Sequence, residues 1–77
     1  LMNSDFVVDQ SKHLAERAWR EAGKENLAGA VSRTFELLLA RKPTKDERKV
    51  ALDVAKEHGL AIVCRSLINS NEFAFLP

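Results

Sequence analysis

Residues 41–47, RKPTKDE, form a boundary between two helical patterns near the middle of the 77-residue chain. Pro43 lacks a backbone N–H and cannot continue the helix that precedes it. Thr44 and Glu47 have the T-x-x-E spacing of a capping box, in which each side chain accepts a backbone N–H at a helix N-terminus. This stretch therefore predicts that one helix ends before Pro43 and that the next begins directly after Thr44.

Apolar residues recur at helical spacing on both sides of this boundary. Ser4 and Asn26 are suitable N-cap residues, and Gly23 and Gly59 are suitable residues to follow a helix end. We therefore predict an all-α fold, a compact bundle of four short helices in a single domain that spans residues 1–77. The predicted helices run from Asp5 to Ala22, from Leu27 to Ala40, from the Thr44 cap to His58, and from Leu60 to about Ile68.

Composition limits the classes of function. The chain has 12 basic and 11 acidic side chains and a net charge of +1, which gives no overall attraction to nucleic acid or to an anionic membrane. No apolar run approaches the ~18 residues of a membrane span. Cys64 is the single cysteine, so no intrachain disulfide forms, and no Cys/His cluster has metal-site spacing. We expect no metal and no cofactor in this fragment.

Two similar strings lie near the ends of the chain, LMNSDF at residues 1–6 and LINSNEF at residues 67–73. Asn and Ser side chains hydrogen-bond local backbone groups and favour helix ends. The helix that would end at the first copy is missing, so we expect the chain to be a C-terminal fragment of a larger protein.

The second copy predicts a structural motif. Asn69 and Ser70 end the fourth helix. Glu72 then accepts backbone N–H groups or pairs with an arginine such as Arg33 or Arg41, and Phe73 fills the core beside it. A catalytic role for this glutamate would need a base and a pocket that the sequence does not provide.

Three strings in this order resemble a large bacterial family. They are MNSDFV at residues 2–7, RTFELLLARKPT at residues 33–44, and LINSNEF at residues 67–73. The family is the domain of unknown function at the C-terminal end of planctomycete cytochrome-c-like proteins. Phe35 replaces the usual Tyr and Ala40 the usual Gly. The resemblance implies an exported multidomain protein whose upstream domains are the partners of this one, and it implies no activity.

Residues that carry chemistry are few. Cys64 lies on an apolar helix and is not part of a Cys-x-x-Cys-His string, so it binds no c-type haem covalently and is expected to be an inert core residue. His13 and His58 lie on different predicted helices and are expected to be ordinary surface groups. We predict no catalytic residue within this fragment, although enzymatic activity of the whole protein stays open.

The Pro43 turn is rich in cations, which permits a second interpretation. Arg41, Lys42, Lys45 and Lys49 could contact a phosphate or polyanion beside a helix N-terminus. A solvated basic face is the interpretation that the sequence favours, because Asp46 and other acidic groups lie among these cations.

Three hypotheses of function follow. The leading one is a non-catalytic helical packing or interaction module of a larger exported protein. The alternatives are a polyanion- or glycan-binding module that uses residues 41–49, and part of an active site completed by an upstream domain. For the leading hypothesis we predict that Leu1, Met2, Leu37 or Leu52 contributes to an exposed apolar surface.

Overall fold

The computed structural model describes residues 4–23 and 25–70, and it contains four helices within them. These are α1 (Asp5–Ala22), α2 (Leu27–Leu39), α3 (Lys45–His58) and α4 (Leu60–Ile68). No strand occurs in these described ranges. The all-α prediction is confirmed, and the predicted helix bounds hold except that α2 ends one residue earlier, at Leu39.

Side-chain caps explain where α1, α2 and α3 begin. The Ser4 hydroxyl accepts the Val7 N–H at 3.2 Å, and the Asn26 side-chain oxygen accepts the Gly29 N–H at 3.0 Å. Each bond satisfies a backbone donor that a helix N-terminus otherwise leaves unpaired. The Thr44 cap that begins α3 belongs to a larger cluster described below.

Backbone with positive φ ends α1, α2 and α3, at Gly23, Ala40 and Gly59. Ala40 follows α2 with φ 57° and ψ 30°, the left-handed helical conformation. Gly59 separates α3 from α4 with φ 95° and ψ 156°, a conformation that is essentially restricted to glycine. The predicted role of Gly59 at a helix end is therefore confirmed.

Helices α2 and α4 form the centre of the bundle, since each of them packs against the other three helices, whereas α1 and α3 do not pack against each other. The Cα radius of gyration is 11.4 Å, close to the ~11–12 Å expected for a compact chain of this length. Small residues permit close approach of the helices. The core consists of Ala15, Ala18, Ala30, Val31, Phe35, Ala51, Ala55, Leu60, Val63, Cys64 and Leu67.

The exposed apolar side chains differ in part from those predicted. Leu37 and Leu52 are half-buried and pack against the core, while residues 1–2 lie outside the described residues. Among residues 4–23 and 25–70, the large apolar side chains that are exposed are instead Phe6, Trp19 and Val50. Helical spacing indicates that Val50 lies on the same face of α3 as core residues. It does not show that this part of the face is left exposed by the neighbouring helices.

Candidate functional site

The Glu47 carboxylate accepts two sets of hydrogen bonds at the Pro43 turn. Glu47 Oε1 accepts the Thr44 backbone N–H at 2.8 Å, and the Thr44 hydroxyl accepts the Glu47 N–H at 3.2 Å, which completes the predicted capping box. The two carboxylate oxygens also accept from Arg41, with Nη1–Oε1 2.8 Å and Nη2–Oε2 2.9 Å. Glu47 thus joins Arg41, two residues beyond the end of α2, to the first turn of α3.

These bonds determine the protonation of Glu47. The Arg41 hydrogen bonds, followed by the Thr44 backbone N–H, lower the pKa of Glu47 from 4.5 to about 2. Hydrogen bonds to the charged form of a carboxyl group favour ionisation. Glu47 is therefore a carboxylate at neutral pH, and its lone pairs are used within the fold.

Arg41 is engaged inside the domain. Its guanidinium carbon lies 5.8 Å from the centroid of the Phe35 ring, within the range of a cation–π contact. Its Nη1 atom also donates to the Lys42 carbonyl at 3.1 Å. Of the four cations predicted to contact an anion, Arg41 is thus fixed by the fold, whereas the other three, Lys42, Lys45 and Lys49, have exposed side chains.

The structure also brings together a basic depression on α3. Lys45, Arg48 and Lys49 line it together with Asp46 and Leu52, and its volume is about 440 Å³. The acidic side chain within this set offsets part of the positive charge. Of the predicted anion-contact residues, Lys45 and Lys49 line this depression, whereas Lys42 does not line it and Arg41 is directed to Glu47.

A larger groove lies between α2, α3 and α4 and has a volume of about 540 Å³. Its polar lining residues are Asp46, Glu47, Ser66 and Ser70. Val50 is 64% exposed although it belongs to this apolar surface. Most of the lining is apolar and comes from all three helices: Phe35, Leu39, Val50, Val54, Val63 and Leu67.

Sequence reasoning did not identify this groove. The sequence did show that Val50 and Val54 share a face of α3 and that α4 is apolar, and both features are consistent with an apolar groove. Which of these residues stay uncovered depends on how α3 and α4 pack, and the periodicity of a single helix does not determine that. The groove is mainly apolar and is lined by three helices, and it is the candidate functional site.

The predicted end of α4 is confirmed. The Asn69 side-chain amide donates to the Arg65 carbonyl at 3.0 Å, and the Ser70 hydroxyl donates to the Leu67 carbonyl at 2.7 Å. Both bonds satisfy carbonyls that the last turn of a helix leaves without intrahelical partners.

The second half of this predicted motif, Glu72 and Phe73, lies outside the described residues. One proposed partner, Arg33, bonds to Glu21 at 2.6 Å and lies 3.7 Å from Glu36. The other, Arg41, bonds to Glu47 as described above. The pairing of Glu72 therefore stays a prediction.

A second ion-pair cluster joins α1 to α2. Glu21 accepts from Arg17 at 2.8 Å and from Arg33 at 2.6 Å. The hydrogen bond from Arg17 is the largest cause that lowers the pKa of Glu21, and the bond from Arg33 is the next. The hydrogen bond to Glu21 raises the pKa of Arg33. The cluster connects two helices at an exposed site, so it acts as a structural contact.

Nucleophiles and metal ligands are poorly placed for chemistry. Burial raises the pKa of the Cys64 thiol to about 12, which suppresses the reactive thiolate. His13 and His58 are exposed on different helices. Within residues 4–23 and 25–70, no three His, Cys, Asp or Glu side chains are grouped so that they could hold a metal ion.

The fold and its groove define a small all-helical domain with an open apolar surface, in which the polar clusters around Glu47 and Glu21 connect neighbouring elements. The chain belongs to the PSD1 family, proteins of unknown function (DUF1553), whose model matches residues 1–55. The matched region includes two of the three family-like strings, at residues 2–7 and 33–44, and it ends within α3. Comparisons with curated proteins and with solved structures give no match. No helix in the described part of the chain has the length and apolar character needed to cross a membrane.

Proposed function

We propose that this domain is a non-catalytic helical packing module of a larger exported bacterial protein, and that the groove between α2, α3 and α4 holds an apolar segment of the same polypeptide. The observation that carries the proposal is Val50, which is 64% exposed in a groove of mainly apolar lining. Covering this apolar surface would be favourable, because the transfer of apolar surface out of water lowers the free energy.

A segment that covers the groove would stabilise the domain by burying apolar surface. Burial of apolar surface contributes roughly 25 cal/mol per Å². A domain of this size buries only about 60% of the surface that its unfolded chain exposes, so additional burial is a substantial part of its stability. A segment seated against Val50 and Val54 would supply that burial.

The polar groups beside the groove support a structural role. Glu47 is ionised and bound to both Arg41 and Thr44. A general acid or base near neutral pH requires a pKa close to that pH, and a carboxyl group with a pKa of about 2 is far from it. The groove is therefore suited to packing.

The resemblance of the strings at residues 2–7, 33–44 and 67–73 extends the proposal to the parent protein. We place that parent among the exported, cytochrome-c-like proteins of planctomycete-type bacteria. Its upstream domains are then the partners of this domain, and any haem belongs to them, since the sequence around Cys64 lacks an attachment string.

The test is Val50→Gln in the full-length parent, with Lys56→Gln as the matched control. Both residues are exposed on α3, and Lys56 does not line the groove. A covered Val50 should contribute about 1–2 kcal/mol, because full burial of a valine contributes ~1.5–3 kcal/mol and about two thirds of this side chain remains to be buried. Equal thermal midpoints for the two variants would contradict the proposal.

A second candidate function is polyanion binding by the basic depression. Its support is the grouping of Lys45, Arg48 and Lys49 on one exposed surface, with Lys42 nearby in the Pro43 turn. Asp46 within the depression and the internal engagement of Arg41 weaken it. We therefore rank it below the packing function.

A further inference from the structure

We infer that the occupant of the groove is the chain's own segment at residues 71–77, NEFAFLP. This inference rests on the proposed packing function, and it names the segment that the groove holds. The place where the described chain ends, the length of the residues that follow and their apolar side chains all favour this occupant.

The segment leaves the described domain at the groove itself. Ser70 is the last described residue, and it lines the groove together with Ser66 and Leu67 of α4. Residue 71 is therefore bonded to a residue of the groove lining. A tethered segment meets such a site at a much higher effective concentration than a free one, so it has the advantage over any separate competitor.

The segment is long enough to cover the groove. Seven residues span at most about 23–25 Å when extended. The two shorter dimensions of the domain are 23 and 21 Å. The segment can therefore run from the end of α4 across the groove to Val50 on α3.

The side chains of the segment match the lining. Phe73, Phe75 and Leu76 are large and apolar, and a phenylalanine buries roughly 150–250 Å². Residues two apart fall on the same side of an extended segment, so the sequence pattern allows both phenylalanines to face the groove. Val50 is the exposed surface that they would cover.

The experiment compares Phe73→Ala/Phe75→Ala with Phe6→Ala in the 77-residue chain. Phe6 is a phenylalanine that is 65% exposed on α1, a helix that does not line the groove. We expect the double variant to lower the thermal midpoint by at least about 5 °C and to shift the methyl resonances of Val50 and Val54. The Phe6 variant should change neither, and equal behaviour of the two variants would overturn the inference.

A direct measurement keeps the test decisive if the double variant fails to fold. In the unmodified chain, nuclear Overhauser contacts between the rings of residues 73 or 75 and the Val50 methyls support the inference, and their absence overturns it. Val50→Gln separates the two proposals. If that substitution destabilises the full-length parent and leaves the 77-residue chain unchanged, a different segment fills the groove and only the present inference fails. If it is neutral in both, the packing function fails as well.

Discussion

Arg41 and Glu47 form a bidentate ion pair across the Pro43 turn, in which each carboxylate oxygen accepts from a different guanidinium nitrogen, at 2.8 and 2.9 Å. The same carboxylate accepts the Thr44 N–H at the start of α3. The direction in which the chain enters α3 is therefore coupled to the end of α2. This coupling fixes the α2 and α3 walls of the groove relative to each other.

The pair makes stability depend on pH. The pKa of Glu47 is about 2 in the folded protein against 4.5 ordinarily, so its contribution is fully present above pH ~4.5 and is lost as the pH falls toward 2. We expect the thermal midpoint to decrease over this range and to decrease less in Glu47→Gln. Calorimetry between pH 2 and 7 measures both, and identical pH profiles for the two proteins would show that Glu47 gains no partner on folding.

Ala40 is a site where a substitution should stabilise the protein. Its φ of 57° costs an L-residue roughly 1–2 kcal/mol, while glycine adopts this conformation without a steric cost. After subtraction of the larger backbone entropy that glycine loses on folding, we expect Ala40→Gly to add about 0.5–1 kcal/mol to the free energy of unfolding. Denaturant titration measures this change.

The control for that change is Gln10→Gly, at an exposed position in the interior of α1. A glycine in a helix interior destabilises by roughly 0.5–1 kcal/mol, so the two substitutions should have opposite signs. A decrease in stability at both positions would mean that the left-handed conformation of Ala40 is not strained.

Cys64 should react slowly with thiol reagents in the folded protein. A rise of its pKa from 9.0 to about 12 reduces the thiolate fraction near neutral pH by roughly a thousandfold, and burial also blocks access. We expect modification by iodoacetamide to follow the population of the unfolded state and to accelerate in denaturant. Equal rates with and without denaturant would contradict the buried placement.

The basic depression should not support strong polyanion binding. We expect heparin affinity to be weak at physiological ionic strength and nearly the same in a variant with Lys42, Lys45 and Lys49 changed to Gln, because nearby acidic groups offset the charge. Titration at several salt concentrations measures this. Tight, salt-sensitive binding that the triple variant abolishes would place the second candidate function first.

The fold could be predicted from the sequence because its determinants are local. The caps at Ser4, Asn26 and Thr44 and the helix stops lie within a few residues of the groups that they satisfy. The Arg41–Glu47 pair was not predicted, since T-x-x-E spacing assigns Glu47 to the cap and does not show which arginine reaches it. The sequence instead offered Arg41 as a partner for Glu72.

The groove depends on contacts between residues that are distant in sequence. Phe35 of α2 and Val50 of α3 share it with residues of α4. Each helix carries more apolar residues than one contact surface requires, and only the packing of three helices decides which of them remain uncovered.

The left-handed backbone of Ala40 lies between the predictable and the unpredictable features. The resemblance implies a glycine at this position, and glycine adopts left-handed backbone without a steric cost.

Gly59 is the whole connection between α3 and α4, the helices that carry Val50 and Leu67. Because this connection is a single residue, it cannot accommodate an inserted residue without a change in the orientation of α4. An insertion would turn α4 by about 100° relative to its present setting, since a helix advances 3.6 residues per turn. Related chains should therefore keep an invariant spacing across position 59, so an alignment of their sequences should have no gap at this position.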